Sequence, residues 1–120
     1  MAPPVQAASA AAWRDEAHVR DNRQQYRQRF ATMHDILSPV VALQLPPGGF
    51  YLWLRTPGDD CAFARTAWQQ AALKVLPGSF LGRDQHGSNP GAGHVRLALV
   101  HDVDTCREAA RRLCALLARY

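Results

Sequence analysis

HVRLALV, the stretch at residues 94–100, has the alternation of a short buried strand. Val95, Leu97 and Leu99 share one face, whereas Arg96 lies on the other face and is the only permanent charge in the stretch. A guanidinium is costly to bury unless a carboxylate or phosphate meets it. Arg96 therefore needs an anionic partner, either an acidic side chain of the fold or a bound ligand. Chemistry alone favours the internal Arg–Asp pair, because such pairs are commoner than ligand clamps.

The composition is that of an ordinary globular domain, with 48% hydrophobic and 20% charged residues in a chain of 120. The formal net charge is +4, and all but one of the 14 basic residues are arginines, since Lys74 is the only lysine. An arginine-rich chain can bind nucleic acid. Here acids are interspersed among the arginines, as in Arg14-Asp15-Glu16, which is typical of a solvated helix face.

The three cysteines, Cys61, Cys106 and Cys114, cannot all pair, and the five histidines show no metal-ligand spacing. A disulfide framework or a metal site is therefore not expected, and free thiols favour a reducing compartment. No apolar run approaches the length of a transmembrane helix, and the N-terminus lacks the pattern of a signal peptide. These observations predict a cytoplasmic protein without a membrane partner.

Two helical stretches begin the chain. Residues 5–13 are rich in alanine and favour a helix, and Asp15 or Asp21 would cap a fresh start after a bend. An apolar stripe at helical spacing then runs through residues 19–37, and Pro39 ends the helix. The first half of this long helical segment has little apolar surface of its own to bury, which indicates that it packs against something outside the chain.

The following segment predicts a β-hairpin. Apolar runs at residues 40–45 and 50–54 flank the turn signal Pro46-Pro47-Gly48-Gly49. Both faces of the second run are apolar. We therefore expect a sheet that is covered on both sides, or on one side by a partner.

Helix and strand patterns alternate in the second half of the chain. Asp59-Asp60 ends a turn, and apolar residues at helical spacing follow over residues 63–71. A short strand is expected at residues 74–76. A glycine-rich loop over residues 77–93 then leads into the 94–100 strand. A loop of this length inside a compact domain is usually functional or mobile.

A last helix follows, capped by Asp102 or Asp104. Its predicted buried stripe consists of Cys106, Ala110, Leu113 and Leu117. Together the elements predict an α+β fold, in which helices pack on a small, mostly antiparallel sheet preceded by a long N-terminal helix.

No stretch carries a catalytic motif. PGSFLG at residues 77–82 is neither a Gly-x-Ser-x-Gly nucleophile turn nor a phosphate-binding loop. Lys74 has no activating neighbours in the sequence, so a catalytic lysine is not favoured. His94 is the one histidine of interest, because it shares a strand face with Arg96. The sequence thus predicts no catalytic residue and no metal ligand.

Three segments occur together in a recognisable order and spacing: PPGGFYLWL at residues 46–54, VLPGSF at residues 75–80 and NPGAGHVRLAL at residues 89–99. They resemble the C-terminal part of class I/II (fold-type I) pyridoxal-phosphate-dependent aminotransferases. Within that family the chain looks most like succinyldiaminopimelate aminotransferases of bacterial lysine synthesis. The resemblance covers essentially the whole chain.

The resemblance implies that Arg96 binds the α-carboxylate of the substrate, a role that suits the guanidinium fork. It also implies that the glycine-rich loop borders the active site and that the turn before residue 51 lies near it. The candidate cleft-lining residues are Gly49, Phe50, Gly78, Ser79 and Asn89.

The resemblance further implies two parts: a helical segment, residues 1–38, that links to an absent large domain, and a small C-terminal domain, residues 39–120. The parent enzyme would use pyridoxal phosphate to move an amino group between an amino acid and a 2-oxo acid, as a homodimer. The family's lysine lies in a Ser-x-Ser-Lys-like segment, which this sequence does not contain. We therefore expect the chain alone to be inactive and to bind no pyridoxal phosphate.

Two functions of another kind stay open. The chain could be an interaction domain that kept the fold without the chemistry, or a nucleic-acid-binding module that uses the arginine-rich first helix. The absence of base-stacking aromatic residues beside the arginines argues against the second.

Overall fold

The computed structural model describes all 120 residues. The elements in chain order are helices α1 (Pro3–Arg14) and α2 (Glu16–Leu37), strand β1 (Tyr51–Arg55), helix α3 (Asp60–Ala71), strand β2 (Leu76–Pro77), a 3-10 turn (Gly78–Phe80), strand β3 (His94–Ala98) and helix α4 (Val103–Leu117). Four helices and one small antiparallel sheet confirm the predicted α+β class and the long helical start.

Aspartate side chains cap three of the four helices. Asp15 accepts a hydrogen bond from the Ala17 N–H at 3.0 Å, so the break in the N-terminal helical segment falls at the first of the two predicted positions. Asp102 caps α4 in the same way, through the Thr105 N–H at 2.9 Å. Asp59 caps α3. Each cap supplies an acceptor for a backbone donor that the helix leaves unpaired.

The sheet has the strand order β1-β3-β2, and both pairings are antiparallel. β3 is therefore the central strand. Trp53 of β1 and Leu76 of β2 lie opposite Arg96 on its two sides. Residues that lie opposite one another in a sheet share a face, so these three side chains lie on the same side of the sheet.

The predicted hairpin is wrong. Residues 42–46 have no regular structure, and β1 pairs with β3, more than 35 residues further along the chain. Pro46 and Pro47 lack the N–H groups that a strand needs for its ladder. Val41 and Leu43 instead pack against the core from an irregular segment. The apolar run thus marks two contacts with the core but no strand, and Val40 and Leu45 at its ends stay exposed.

Two smaller expectations also shift. The strand expected at residues 74–76 forms at Leu76–Pro77, and Lys74 lies outside it and is exposed. In α4, Leu116 is buried where Leu117 was expected, while Leu117 is half-buried beside it. A helical stripe is wide enough for a neighbouring residue to take the innermost place.

The core lies between one face of the sheet and the helices α2, α3 and α4. Leu52, Leu54, Val95 and Leu97 supply the sheet side of it. The helices supply Met33, Leu37, Phe63, Ala67, Cys106, Ala110, Leu113 and Leu116. The opposite face of the sheet stays open: the side chains of Tyr51 and Trp53 are 37% and 38% exposed.

Helix α1 has no buried residue, and its Trp13 is 85% exposed. Within this chain nothing covers its apolar side chains, so the expectation that α1 packs against something outside the chain stays a prediction. None of the helices is both long and apolar enough to cross a membrane.

Removing residues 1–14 is expected to change the free energy of unfolding by less than about 0.5 kcal/mol, because surface changes away from buried groups have effects of that size. Urea unfolding of the shortened and full chains, monitored by circular dichroism, measures the difference. A loss of stability of about 2 kcal/mol or more would show that α1 packs on the domain in solution.

Candidate functional site

Arg96 lies in the middle of the central strand, on the open face of the sheet. Its own side chain is half-buried, while Val95 and Leu97 on either side of it point into the core. The period of two along a strand therefore places the guanidinium opposite the hydrophobic layer.

No carboxylate of the chain pairs with Arg96. The ion pairs of the structure join His18, His34, Arg107 and Arg112 to acidic residues, and no hydrogen bond to the Arg96 side chain is formed. The ring of Tyr51 lies under the guanidinium, 5.6 Å from its Cζ atom to the ring centroid. A cation above an aromatic face is stabilised without losing its hydrogen-bond donors. The internal Arg–Asp pair that chemistry alone favours is therefore absent.

A second aromatic contact lies next to Arg96 on the same face. The rings of Trp53 and His94 are stacked, with centroids 5.5 Å apart and planes 11° from parallel. His94 Nδ1 lies 3.0 Å from the Ala92 carbonyl oxygen, which holds the imidazole in place. The open face thus presents a cation between two aromatic groups, on a rigid strand pair.

The loop before β3 is held by a close backbone contact. Gly78 and Gly91 approach so closely that a Cβ atom on either would collide with the backbone of the other. Asn89 fastens the same contact, because its side chain donates to the Ser79 carbonyl at 3.0 Å and accepts from the Gly91 N–H at 2.9 Å. Further out, Gln85 and Ser88 exchange two backbone hydrogen bonds at the tip of the loop.

Asp60 ties this loop to α3. Its side chain is 2% exposed and accepts hydrogen bonds from the N–H groups of Ser79, at 2.8 Å, and Gly93, at 3.4 Å. Burial is the largest influence on this carboxyl and acts to raise its pKa, but the hydrogen bonds from Ser79 and Gly93 outweigh it and hold the pKa below the ordinary value of 3.8. The carboxylate therefore stays ionised and braces both ends of the loop.

The five candidate cleft-lining residues fall into two groups, on either side of Arg96 along β3. Gly78, Ser79 and Asn89 lie near the His94 end, where Gly78 approaches Trp53 and His94. Gly49 and Phe50 lie at the Ala98 end, where the Phe50 carbonyl accepts from the Leu99 N–H at 2.8 Å. The Ser79 N–H and the Asn89 amide are used in bracing the loop, so the cleft-lining role of these two residues stays a prediction.

Sequence reasoning missed Asp60, Gly91 and the ring of Tyr51 as parts of this site. The Asp59-Asp60 pair offered a signal for Asp60. One aspartate is enough to cap a helix, so the second aspartate of the pair is free for a different contact. Tyr51 was visible in the alternation of residues 50–54, but its place under Arg96 depends on a register between distant strands.

Residues 2–113 match the family described as aminotransferase class I and II. The chain belongs to this family. A probable aminotransferase of Mycobacterium tuberculosis is 38% identical over 111 residues, which are 92% of this chain and 25% of that protein.

Solved structures agree with this membership. A crystal structure of an aminotransferase from Neisseria meningitidis superposes with a TM-score of 0.93 at 53% identity, covering 98% of this chain and 30% of that one. A probable N-succinyldiaminopimelate aminotransferase from Thermus thermophilus superposes with a TM-score of 0.72 at 31% identity, covering 88% of this chain and 27% of that one. The chain thus spans between a quarter and a third of the length of these relatives.

The residues of this aminotransferase-family chain do not fit pyridoxal phosphate by themselves. The cofactor needs a lysine for covalent attachment and a partner for its ring nitrogen. Lys74 is the only lysine, and it borders an apolar hollow whose other residues include Leu97, Val100 and His101. No step of the reaction can therefore be assigned to this chain through the cofactor.

Gly91→Ala is expected to lower the free energy of unfolding by about 1–3 kcal/mol, the usual cost of forcing an extra methyl group into a packed site. Gly58→Ala is the matched control, because a Cβ atom there would meet nothing within 4 Å. Urea unfolding of both variants measures the difference. Equal stabilities would show that the backbone contact between Gly78 and Gly91 is not close in solution.

Asp60→Asn is expected to cost about 1–3 kcal/mol at neutral pH, since the amide leaves one buried N–H without an acceptor. Because the pKa of Asp60 is lower in the folded state, its contribution to stability is present above the unfolded-state value and disappears as the pH falls through the folded-state value. As the pH falls through and below 3.8, the ordinary value, the wild type should therefore lose more stability than the variant.

Urea unfolding at several pH values tests this expectation. Asp84→Asn serves as the control, because Asp84 is exposed and its side chain makes no hydrogen bond or ion pair. Parallel pH profiles for wild type and Asp60→Asn would contradict the bracing role of the carboxylate.

Proposed function

We propose that this chain is the small C-terminal domain of a pyridoxal-phosphate-dependent aminotransferase, and that Arg96 binds the α-carboxylate of the amino acid or 2-oxo acid. The observation that carries the proposal is a strand arginine with no carboxylate partner in its own fold, on a sheet face that is open beside it. Family membership supplies the reaction class.

The guanidinium suits this role for physical reasons. It is always charged, and two of its N–H donors can meet both oxygens of a carboxylate at once. Tyr51 beneath it restricts its motion while leaving the donor edge free. An arginine held in advance loses less freedom when it binds its ligand.

In this proposal the cofactor, when bound in the parent enzyme, supplies the electron sink for amino-group transfer. This chain contributes binding and orientation of the substrate. Residues 1–38 form the helical link to a large domain, and residues 39–120 form the substrate-binding part. The parent is a cytoplasmic homodimer, and the chain alone is inactive and binds no pyridoxal phosphate.

We further propose an acidic amino acid derivative of the succinyldiaminopimelate type as the substrate. The support is the likeness to the Thermus thermophilus protein described as a probable N-succinyldiaminopimelate aminotransferase. Proteins described as LL-diaminopimelate aminotransferases, such as that of Syntrophobacter fumaroxidans at 28% identity, are also similar to the chain.

Arg96→Ala in an enzyme that contains this domain is expected to lower kcat/KM by roughly two to four orders of magnitude, because removing one partner of a desolvated charge pair costs about 2–5 kcal/mol. Arg96→Lys should recover part of the loss, since an ammonium cannot make the two parallel hydrogen bonds. Steady-state kinetics give kcat/KM for both variants. The absorbance of the bound cofactor should stay unchanged, because the substitutions alter substrate binding and not cofactor binding.

Arg65→Ala is the control, because Arg65 is exposed on α3 and makes no ion pair. Arg96→Ala in the isolated chain provides the second arm. If that variant fails to fold while the control folds, Arg96 is structural and the carboxylate-binding role loses its support.

A further inference from the structure

Trp53 of β1 is the large side chain opposite Arg96 on the open face of the sheet. Leu52 and Leu54 on either side of Trp53 point into the core, so the indole lies on the same face as the guanidinium. Residues directly opposite one another in an antiparallel pair have Cβ atoms about 4.5–5.5 Å apart. The two long side chains therefore start from almost the same place and have to lean in different directions.

The indole of Trp53 leans toward the start of β3. Its ring stacks on the ring of His94, two residues before Arg96, with centroids 5.5 Å apart. Its Cη2 atom lies against Gly78, 2.8 Å from the place that a Cβ atom of this glycine would occupy. The indole thus reaches from β1 across β3 to the 3-10 turn that follows β2.

The guanidinium of Arg96 leans toward the other end of β3. Its Cζ atom lies 5.6 Å from the ring centroid of Tyr51, and Tyr51 is opposite Ala98, two residues after Arg96. A diagonal neighbour of this kind is within reach of a long side chain. No ion pair fixes the guanidinium there. What keeps it on the Tyr51 side is the indole, which already fills the space toward His94.

Both groups that the indole contacts are themselves held in place. Gly78 belongs to the close backbone contact with Gly91, which leaves no room for a side chain between them. The imidazole of His94 is fixed through Nδ1, which lies 3.0 Å from the Ala92 carbonyl oxygen. A carbonyl oxygen only accepts hydrogen bonds, so Nδ1 carries the proton in this contact. The braced loop before β3 is thereby connected to Arg96 through one aromatic ring.

We propose that Trp53 is a positioning residue for Arg96. The indole fills the His94 side of the space around the guanidinium and thereby confines the guanidinium to the side of Tyr51. This inference rests on the proposed function, because it concerns how the arginine that binds the carboxylate is oriented. Rotamer freedom that Trp53 removes in advance is not lost again when the substrate binds.

Trp53→Ala in an enzyme that contains this domain is expected to raise KM for the amino acid about three- to tenfold, the usual cost of fixing one flexible side chain on binding. The value of kcat should stay nearly unchanged, because a contact that acts on substrate binding alone appears in KM. Trp53→Phe keeps a flat ring opposite Arg96, so its KM should lie between those of the wild type and Trp53→Ala. Steady-state kinetics measure both constants.

Trp68→Ala is the matched control, because it removes the same side chain from a place on α3 where it is 62% exposed. This variant should change neither KM nor kcat. If Trp53 were merely structural, its loss would reduce the amount of folded enzyme, so kcat would fall while KM stayed the same. An unchanged KM for Trp53→Ala, or an equal rise of KM in Trp68→Ala, would therefore overturn the inference.

The motion of Arg96 gives an independent readout in the isotopically labelled 120-residue chain. The NMR order parameter of its side-chain Nε–H group should fall in Trp53→Ala and keep the wild-type value in Trp68→Ala. An unchanged order parameter in Trp53→Ala would overturn the confinement of the guanidinium, even if KM rises.

Arg96→Ala separates this inference from the proposed function. Because Trp53 acts through Arg96, Trp53→Ala should raise KM no further in the Arg96→Ala background. An equal rise in both backgrounds, or a rise in Arg96→Ala without one in Trp53→Ala, would overturn the positioning role and leave the proposed function standing. An unchanged KM in Arg96→Ala would instead overturn the proposed function, and this inference would fall with it.

Discussion

The structure depends on the placement of one five-residue strand between two antiparallel neighbours. β3 receives hydrogen bonds on both edges, and its alternate side chains close the hydrophobic core on one face. A shift of one residue would turn Val95 and Leu97 outward and put Arg96 into the core. Burial of a lone guanidinium is so costly that this register is strongly specified. The same constraint that builds the core therefore presents the arginine to solvent.

Local signals in the sequence predicted the local structure well. The helices start at aspartates because a side-chain acceptor close to free N–H groups is a short-range requirement, and Asp15, Asp59 and Asp102 meet it. The alternation at residues 94–98 and the apolar character of both faces of residues 50–54 were also visible, although the expected cover over the second face is not supplied by this chain. Each of these features depends on residues a few positions apart.

Features that depend on distant residues could not be predicted. The run at residues 40–45 suggested a strand that would pair with β1. The real partner of β1 is β3, and a rule for hairpins considers only strands that are neighbours in the sequence. Asp60 has its partners 19 and 33 residues away, and the Gly78–Gly91 contact joins two turns. For the site, the role that we propose for Arg96 comes from the resemblance to a family, whereas the contact with Tyr51 came only from the structure.

The clamp around Gly78 and Gly91 divides the loop before β3 into a fixed base and a separate tip. Asp60 and Asn89 hold the base, while the tip closes on itself through Gln85 and Ser88. The entropy of closing a loop grows slowly with its length. Insertions or replacements between Gln85 and Ser88 therefore cost little stability and leave the braced base of the loop, and with it the geometry at Arg96, intact. The tip is a place where evolution or engineering can vary the chain independently of the scaffold.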